Sequence, residues 1–291
     1  MEAQKSSVTT CPLCAGDASP LELYRSDIMR VVRCPDCGLM YQNPRVAETT
    51  WGDTYDVRPE YQAYRSDSSR AAKVRLFRDR VDTIQRRCSL PPAGTFLDIG
   101  ASQGIMMQTL LSVLPGWECY GVEPSATARE YALNAGLSVV PALDALPAGQ
   151  KYDWINLDNT LEHIEDPLGL LVELRGRLAR NGFLYIEVPN ESFFRLRYRI
   201  NDAIRGTKKP PTFPGHLTLF TQSTLKAMLH RAGFTADLWT ESVSVPNRMS
   251  GVCNQDEAQF RTVLTFLRIT KVDRMLGLNY FLCAIARSAP A

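Results

Sequence analysis

Three groups of residues in this chain have the types and spacing to do chemistry. The first is the turn Asp98-Ile-Gly100-Ala101-Ser102-Gln-Gly104, followed further on by a second acid at Glu123-Pro124. Its glycines let backbone approach a ligand where a Cβ would collide, and a carboxylate at a strand tip can accept both hydroxyls of a ribose. A dinucleotide fingerprint needs glycines where this chain has Ser102 and Ile105, so the pyrophosphate cradle fails at two of three places. An acid two residues before the first glycine suits a cationic ligand instead. The second group is Cys11, Cys14, Cys34 and Cys37, two C-x2-C pairs with 19 residues between them, a spacing expected of a tetrahedral zinc site. The third is Asp158-Asn159 with Glu162-His163, and far downstream Gly215-His216. Glu162 and His163 read as an acid–base pair or as a hydrogen-bonded support for the next loop. His216 reads as a general base, histidine being the side chain best poised for that near neutral pH, or as a helix cap.

The elements that must position these residues follow from pattern. Phe96 to Asp98 and the run up to Glu123 read as two strands flanking an apolar helix, half of a nucleotide-binding crevice. From Thr95 onward strand and helix patterns alternate, which predicts an α/β fold, a Rossmann-like sheet with helices on both faces. Ser125 caps a helix to about Ala135, Leu137–Val140 and Tyr152–Leu157 are strands, and Leu168–Ala179 is a helix before a strand over Phe183–Val188. Thr221 or Ser223 starts a helix that stops at Gly233, and strands follow over Ala236–Val243 and Tyr280–Ala286. Between these last strands Asn254 and Glu257 resemble a capping box, with Phe260, Val263, Leu264 and Leu267 at helical spacing, a lid or an oligomer contact. Ahead of the sheet, Ser66 to Arg87 reads as a helix with Val74, Phe77, Val81 and Ile84 on one face and a solvated arginine face. Three parts result: a zinc ribbon over residues 1–45, an aromatic linker and helix over 46–90, and a core over 91–291 with a helical insertion near 254–277.

Composition narrows the class. The 291 residues are 45% hydrophobic, ample for a core, and a net charge of +2 predicts no polyanionic partner. The N-terminus lacks the apolar stretch of a secretory signal, and no apolar run approaches a membrane span. Eight cysteines in such a chain suit a reduced compartment in which thiolates bind metal, so a cytoplasmic location is expected. Cys88, Cys119, Cys253 and Cys283 are scattered and read as small core residues. The run from Phe193 to Arg199, with Arg205, Lys208 and Lys209, reads as a solvated loop or as a contact for a negatively charged substrate, phosphorylated or nucleotide-linked.

The D-x-G-x-S-x-G turn resembles motif I of the class I S-adenosylmethionine (SAM) methyltransferases, usually written D-x-G-x-G-x-G. The segment from Tyr152 to Pro167, with its Leu-Glu-His followed by Asp-Pro, resembles the stretch after the fourth strand of small-molecule members. An Asn/Asp-Pro-Pro-Tyr/Phe motif, usual in enzymes that methylate exocyclic amines of nucleobases, is absent from it. The whole layout is similar to members with an N-terminal zinc ribbon, among them sugar C-methyltransferases of antibiotic pathways. The resemblance implies SAM bound by Asp98, Gly100, Ala101, Ser102, Gly104, Glu123 and Pro124, with Asp158 and Asn159 at the methionine end. It implies a ribbon that helps to close the substrate pocket, with Tyr61 and Tyr64 in the wall. In the sugar C-methyltransferases the downstream His follows a Glu; here it follows Gly215, which favours methyl transfer to a hydroxyl over a carbon. The acceptor expected is a sugar-like or secondary metabolite, with no nucleic acid partner, and a homodimer would use the insertion. The alternatives are a zinc-ribbon RNA methyltransferase and a non-catalytic scaffold, the latter hinted at by Ser102.

Overall fold

Alternating aliphatic runs and helices after Pro92 build one sheet with a helical layer on each face. A computed structural model describes residues 5–17, 19–25, 29–46, 67–196, 215–241 and 279–289. The N-terminal part carries β1 (Lys5–Ser6), β2 (Leu21–Arg25), β3 (Arg30–Arg33), β4 (Met40–Gln42) and β5 (Arg45–Val46), followed by helix α1 (Asp67–Arg87). Then come β6 (Gly94–Ile99), α2 (Ile105–Val113), β7 (Trp117–Val122), α3 (Ala126–Asn134), β8 (Ser138–Val140), β9 (Tyr152–Asp158), α4 (Pro167–Arg177) and β10 (Leu178–Pro189). The last elements are β11 (Thr218–Leu219), α5 (Gln222–Arg231), β12 (Phe234–Glu241) and β13 (Phe281–Ser288).

The large sheet has seven strands in the order β12-β13-β10-β9-β6-β7-β8. Strands β8, β7, β6, β9 and β10 run parallel, whereas β13 is antiparallel to both β10 and β12. The order reverses at β6, so a crevice opens beyond the carboxyl ends of β6, β7 and β9. Side chains of these strands alternate between two apolar layers, as a period of two requires. Phe96, Trp154, Phe183 and Tyr185 face α1 and α2, which contribute Phe77, Val81, Ile84, Met107 and Leu110. Leu97, Ile155, Leu157, Leu184 and Ile186 face α4 and α5, which contribute Leu171, Leu174, Leu225 and Met228. Trp154 anchors the first layer, edge-on to Phe96 at 5.0 Å and stacked on Phe183 at 5.5 Å.

The expected caps are in place. Ser125 Oγ accepts from the Ala128 amide at 3.2 Å, and Thr221 and Thr224 form a reciprocal capping box at the start of α5. Gly233 ends α5 at a φ of +84°. The helix before β10 stops at Arg177, and β10 begins five residues earlier than the aliphatic run, with a bulge between Leu178 and Phe183 against β9. The expected insertion around Asn254, Glu257 and Phe260, with Cys253, lies outside the described residues, as does the linker with Tyr61 and Tyr64. Among the described residues no helix is long and apolar enough to cross a membrane.

One feature of the sheet plan has no counterpart in the sequence patterns. A second sheet, ordered β11-β4-β3-β2, takes its edge strand from the downstream core. Thr218 pairs with Tyr41 and Leu219 with Met40. The N-terminal residues Leu13, Val32, Leu39 and Tyr41 are buried in the same apolar cluster as Leu157, Leu161 and Phe220.

Candidate functional site

The turn after β6 is held in a conformation that glycine tolerates. Gly100, Ser102 and Gly104 have φ values of 76°, 49° and 71°. The amides of Gly100 and Ala101 both donate to the Val122 carbonyl, which pins the turn to the end of β7. A Cβ on Gly100 would come within 2.6 Å of Thr160 Oγ1, so the loop after β9 requires glycine there. Ser102 adopts the left-handed backbone that the glycine of the usual motif would adopt, at a cost of roughly 1–2 kcal/mol. Its side chain is therefore a strain on the turn and not a different turn.

Glu123 closes the turn. One carboxylate oxygen accepts from the Ser102 amide at 2.8 Å and the other from the Ser125 amide at 2.8 Å. Pro124 then turns the chain into α3, with Arg129 donating to the carbonyls of Glu123 and Pro124. Asp98 sits below, buried, taking a hydrogen bond from Asn156 Nδ2 at 2.7 Å. Burial, helped by the neighbouring Asp158 and Glu123 carboxylates, pushes its pKa up to about 7 against the Asn156 bond. Asp98 and Glu123, two carboxylates at one crevice, fit a ligand with positive charge and ribose hydroxyls. They do not fit a phosphate.

Asp158 and Asn159 stand at the end of β9, Asn159 at a φ of 50° with its side-chain Nδ2 donating to Asp158 Oδ1 at 2.7 Å and to Glu187 Oε1 at 3.2 Å. The expected solvated arginine face of α1 needs correction at one position. Arg80 is buried, bridging Asp158 at 2.6 Å and Glu187 of β10. Its guanidinium lies 5.4 Å from the Phe77 ring centre and 5.3 Å from that of Tyr185. Burial opposes its charge, but the two carboxylates outweigh burial and hold its pKa well above the usual value. Position 80 falls three residues after Phe77 and four before Ile84, on the apolar face; that spacing was the signal.

The third group comes together across a separation of more than fifty residues. A short 3-10 turn, Leu161–His163, follows β9, and the Leu217 amide donates to the Glu162 carbonyl at 2.8 Å. His163 Nδ1 bonds to the Gly215 carbonyl at 2.8 Å, and the His163 and His216 rings meet edge-to-face at 4.9 Å. From the ribbon, Gln42 Nε2 donates to the His216 carbonyl at 2.9 Å, so β4 fixes this segment from the other side. Burial pushes the His163 imidazole down to about 4, and burial with the neighbouring His163 holds His216 well below its usual value. Burial likewise raises the Glu162 carboxyl well above the carboxylate range. Of the expected site residues, those of the turn, of the β9 end and of this trio share one end of the sheet. Tyr61 and Tyr64 lie outside the described residues.

The four expected thiols also converge. Cys11 Sγ lies 3.5 Å from Cys37 Sγ, Cys14 Sγ lies 3.6 Å from Cys34 Sγ, and all four lie within 4.8 Å of one another. Zinc–sulfur bonds of ~2.3 Å in a tetrahedron put sulfurs about 3.8 Å apart, so the set can hold that ion. Each pair sits on a tight turn, with a positive φ at Ala15 in one and Gly38 in the other.

The methyltransferase domain family model matches residues 66–238, more than half of the chain. The chain belongs to the methyltransferase domain family. A curated relative, the ubiquinone biosynthesis O-methyltransferase of Histophilus somni (strain 2336), is 25% identical over 162 residues, 51% of this chain. The match spans 62% of that relative's length, less than two thirds. The fold is shared with solved methyltransferases at low identity. A chain from the complex of a methyltransferase with its activator from Haloferax volcanii has a TM-score of 0.57 at 15% identity, over 80% of this chain and 100% of that one. The plantazolicin methyltransferase BpumL, solved with a substrate analog and S-adenosylhomocysteine (SAH), has a TM-score of 0.52 at 16% identity, over 82% and 94%. These methyltransferases share the Rossmann-like plan, and the ribbon thiols stand in addition to it.

Proposed function

We propose that this chain transfers the methyl group of SAM to a hydroxyl oxygen of a small, sugar-like or secondary metabolite. The observation that carries the reading is the bonded pair of Glu123 and the Gly100–Gly104 turn beside buried Asp98, with the Glu162–His163–His216 trio at the neighbouring strand end. Glu123 would hold the ribose, Asp98 the cationic end of the cofactor, and Asp158 with Asn159 its methionine portion. When bound, SAM supplies an electrophilic methyl carbon whose bond to sulfur breaks as the bond to the acceptor oxygen forms. The hydroxyl proton must leave, and an imidazole of the trio would take it; both rings are neutral at pH 7. Alignment of acceptor and methyl supplies much of the acceleration, a role for the surrounding loops. An oxygen acceptor is supported by the relative named an O-methyltransferase, and a small acceptor by the relatives' printed names. In the ribbon, zinc at the four cysteines would contribute folding energy to a segment too small to fold on buried area alone.

Calorimetry with SAM and SAH tests the reading, with Glu123→Ala and Asp98→Asn as comparisons. Binding by the natural chain that both substitutions weaken supports it, and incubation of labelled SAM with source-cell extract then identifies the product. Absence of SAM binding would make the chain a scaffold, and label transferred to RNA would replace the small-molecule reading.

A further inference from the structure

We propose that Glu162, His163 and His216 form a second metal site, for a divalent first-row transition ion, separate from the four cysteines. One ligand atom from each of the three lies within 4.8 Å of the others. Glu162 Oε1 is 3.9 Å from His163 Nε2, too far for a hydrogen bond and within the range that an ion between them would close by small side-chain rotations. The Glu162 side chain is only 2% exposed, and neither carboxylate oxygen takes a hydrogen bond among the described residues. A buried carboxyl left in that state is destabilising unless something pairs with it. The histidine beside it is already set as a ligand. Its Nδ1 is engaged by the Gly215 carbonyl, which fixes the tautomer and the ring orientation; metal-bound histidines are commonly held in this way.

Ligand chemistry selects the ion. Two neutral imidazoles and one carboxylate suit iron, cobalt, nickel or zinc in the divalent state, whereas magnesium and calcium prefer all-oxygen sets. Three protein ligands leave positions open, and both rings are only partly enclosed, His163 being 26% exposed at its side chain. An acceptor hydroxyl entering an open position would lose its proton more readily, the ion replacing the histidines as the means of activation. That consequence rests on the methyl-transfer reading; occupancy by the ion does not.

The test is a cobalt(II) chloride titration of the full chain after removal of adventitious metal, read by absorbance and by metal content. The expected result is two equivalents: one with intense thiolate-to-cobalt charge-transfer bands and one with only weak visible bands. Glu162→Gln should lose the second alone, its affinity falling at least about 100-fold, while Cys34→Ser should lose the first alone. A single equivalent in the natural chain, carrying all the charge-transfer intensity, overturns the proposal without any variant. So does a folded Glu162→Gln chain that still binds two. SAM calorimetry on the same samples reports the methyl-transfer reading separately, since the trio contributes no residue to the turn that would hold the cofactor.

Discussion

Affinity for SAM should depend on pH through Asp98. Its carboxyl is buried, takes a hydrogen bond from Asn156 and is flanked by the Asp158 and Glu123 carboxylates, which together place its pKa at about 7. A cationic ligand favours the ionised form, so binding below pH 7 must expel a proton. About 3% of Asp98 is ionised near pH 5.5 and about half near pH 7, so affinity should rise ~15-fold across that interval, or ~1.6 kcal/mol. The empty protein should respond in the opposite sense. Unfolded Asp titrates near 3.9, so the folded chain keeps a proton that the unfolded chain has shed between about pH 4 and pH 7. The resulting stability is fully present below the unfolded pKa and is lost as pH rises through the folded one. Calorimetry in buffers of differing ionisation enthalpy reads both the affinity and the proton released near pH 6. A dissociation constant that stays flat over the interval, or an equal slope in Asp98→Asn, would refute the assignment of Asp98 to the cationic end.

Other expectations follow from single contacts. Arg80→Met leaves Glu187 and Asp158 facing each other without their cation, and should cost about 3–5 kcal/mol in urea unfolding; adding Glu187→Gln should restore part of it. Ser102→Gly relieves the left-handed backbone but adds chain entropy to the unfolded state, for a net gain of up to about 1 kcal/mol in thermal unfolding with SAM binding retained. Loss of stability in that variant would show the turn to be unstrained. Cys34→Ser should release ribbon metal, seen by mass spectrometry of the intact protein, and lower turnover more than SAM affinity, because β4 supports the His216 segment and not the glycine turn.

Local chemistry was legible wherever one stretch of sequence carried it. The strand ends at Asp98 and Glu123, the paired thiols and the caps at Ser125 and Thr221 each depend on neighbours within a few positions, and pattern reports such neighbours directly. Arg80 departs from the solvated face expected of its residue type because its place on the helix, not its charge, decides its burial. An arginine in an apolar stripe is buried when carboxylates such as Asp158 and Glu187 wait across the sheet, and those partners lie far away in sequence. The two-residue strand β11 has no periodicity to read, and its pairing with β4 is set by tertiary packing. The meeting of His163 with His216 follows from that pairing, so it too was invisible residue by residue.

The shared sheet has a consequence for synthesis. Met40 must wait for Leu219, 179 positions later, before its open backbone edge is covered. At about 5–20 residues per second the ribosome leaves that edge bare for some 10–35 s, with Met40, Tyr41 and Gln42 deprived of the burial they finally reach. The four thiols can converge early, but the N-terminal sheet remains a half-finished surface until the chain has passed the last parallel strand. An exposed edge of this kind is open to pairing with other chains, so the same strand that seals the finished molecule marks the interval in which it is most exposed to a chaperone or to its own neighbours.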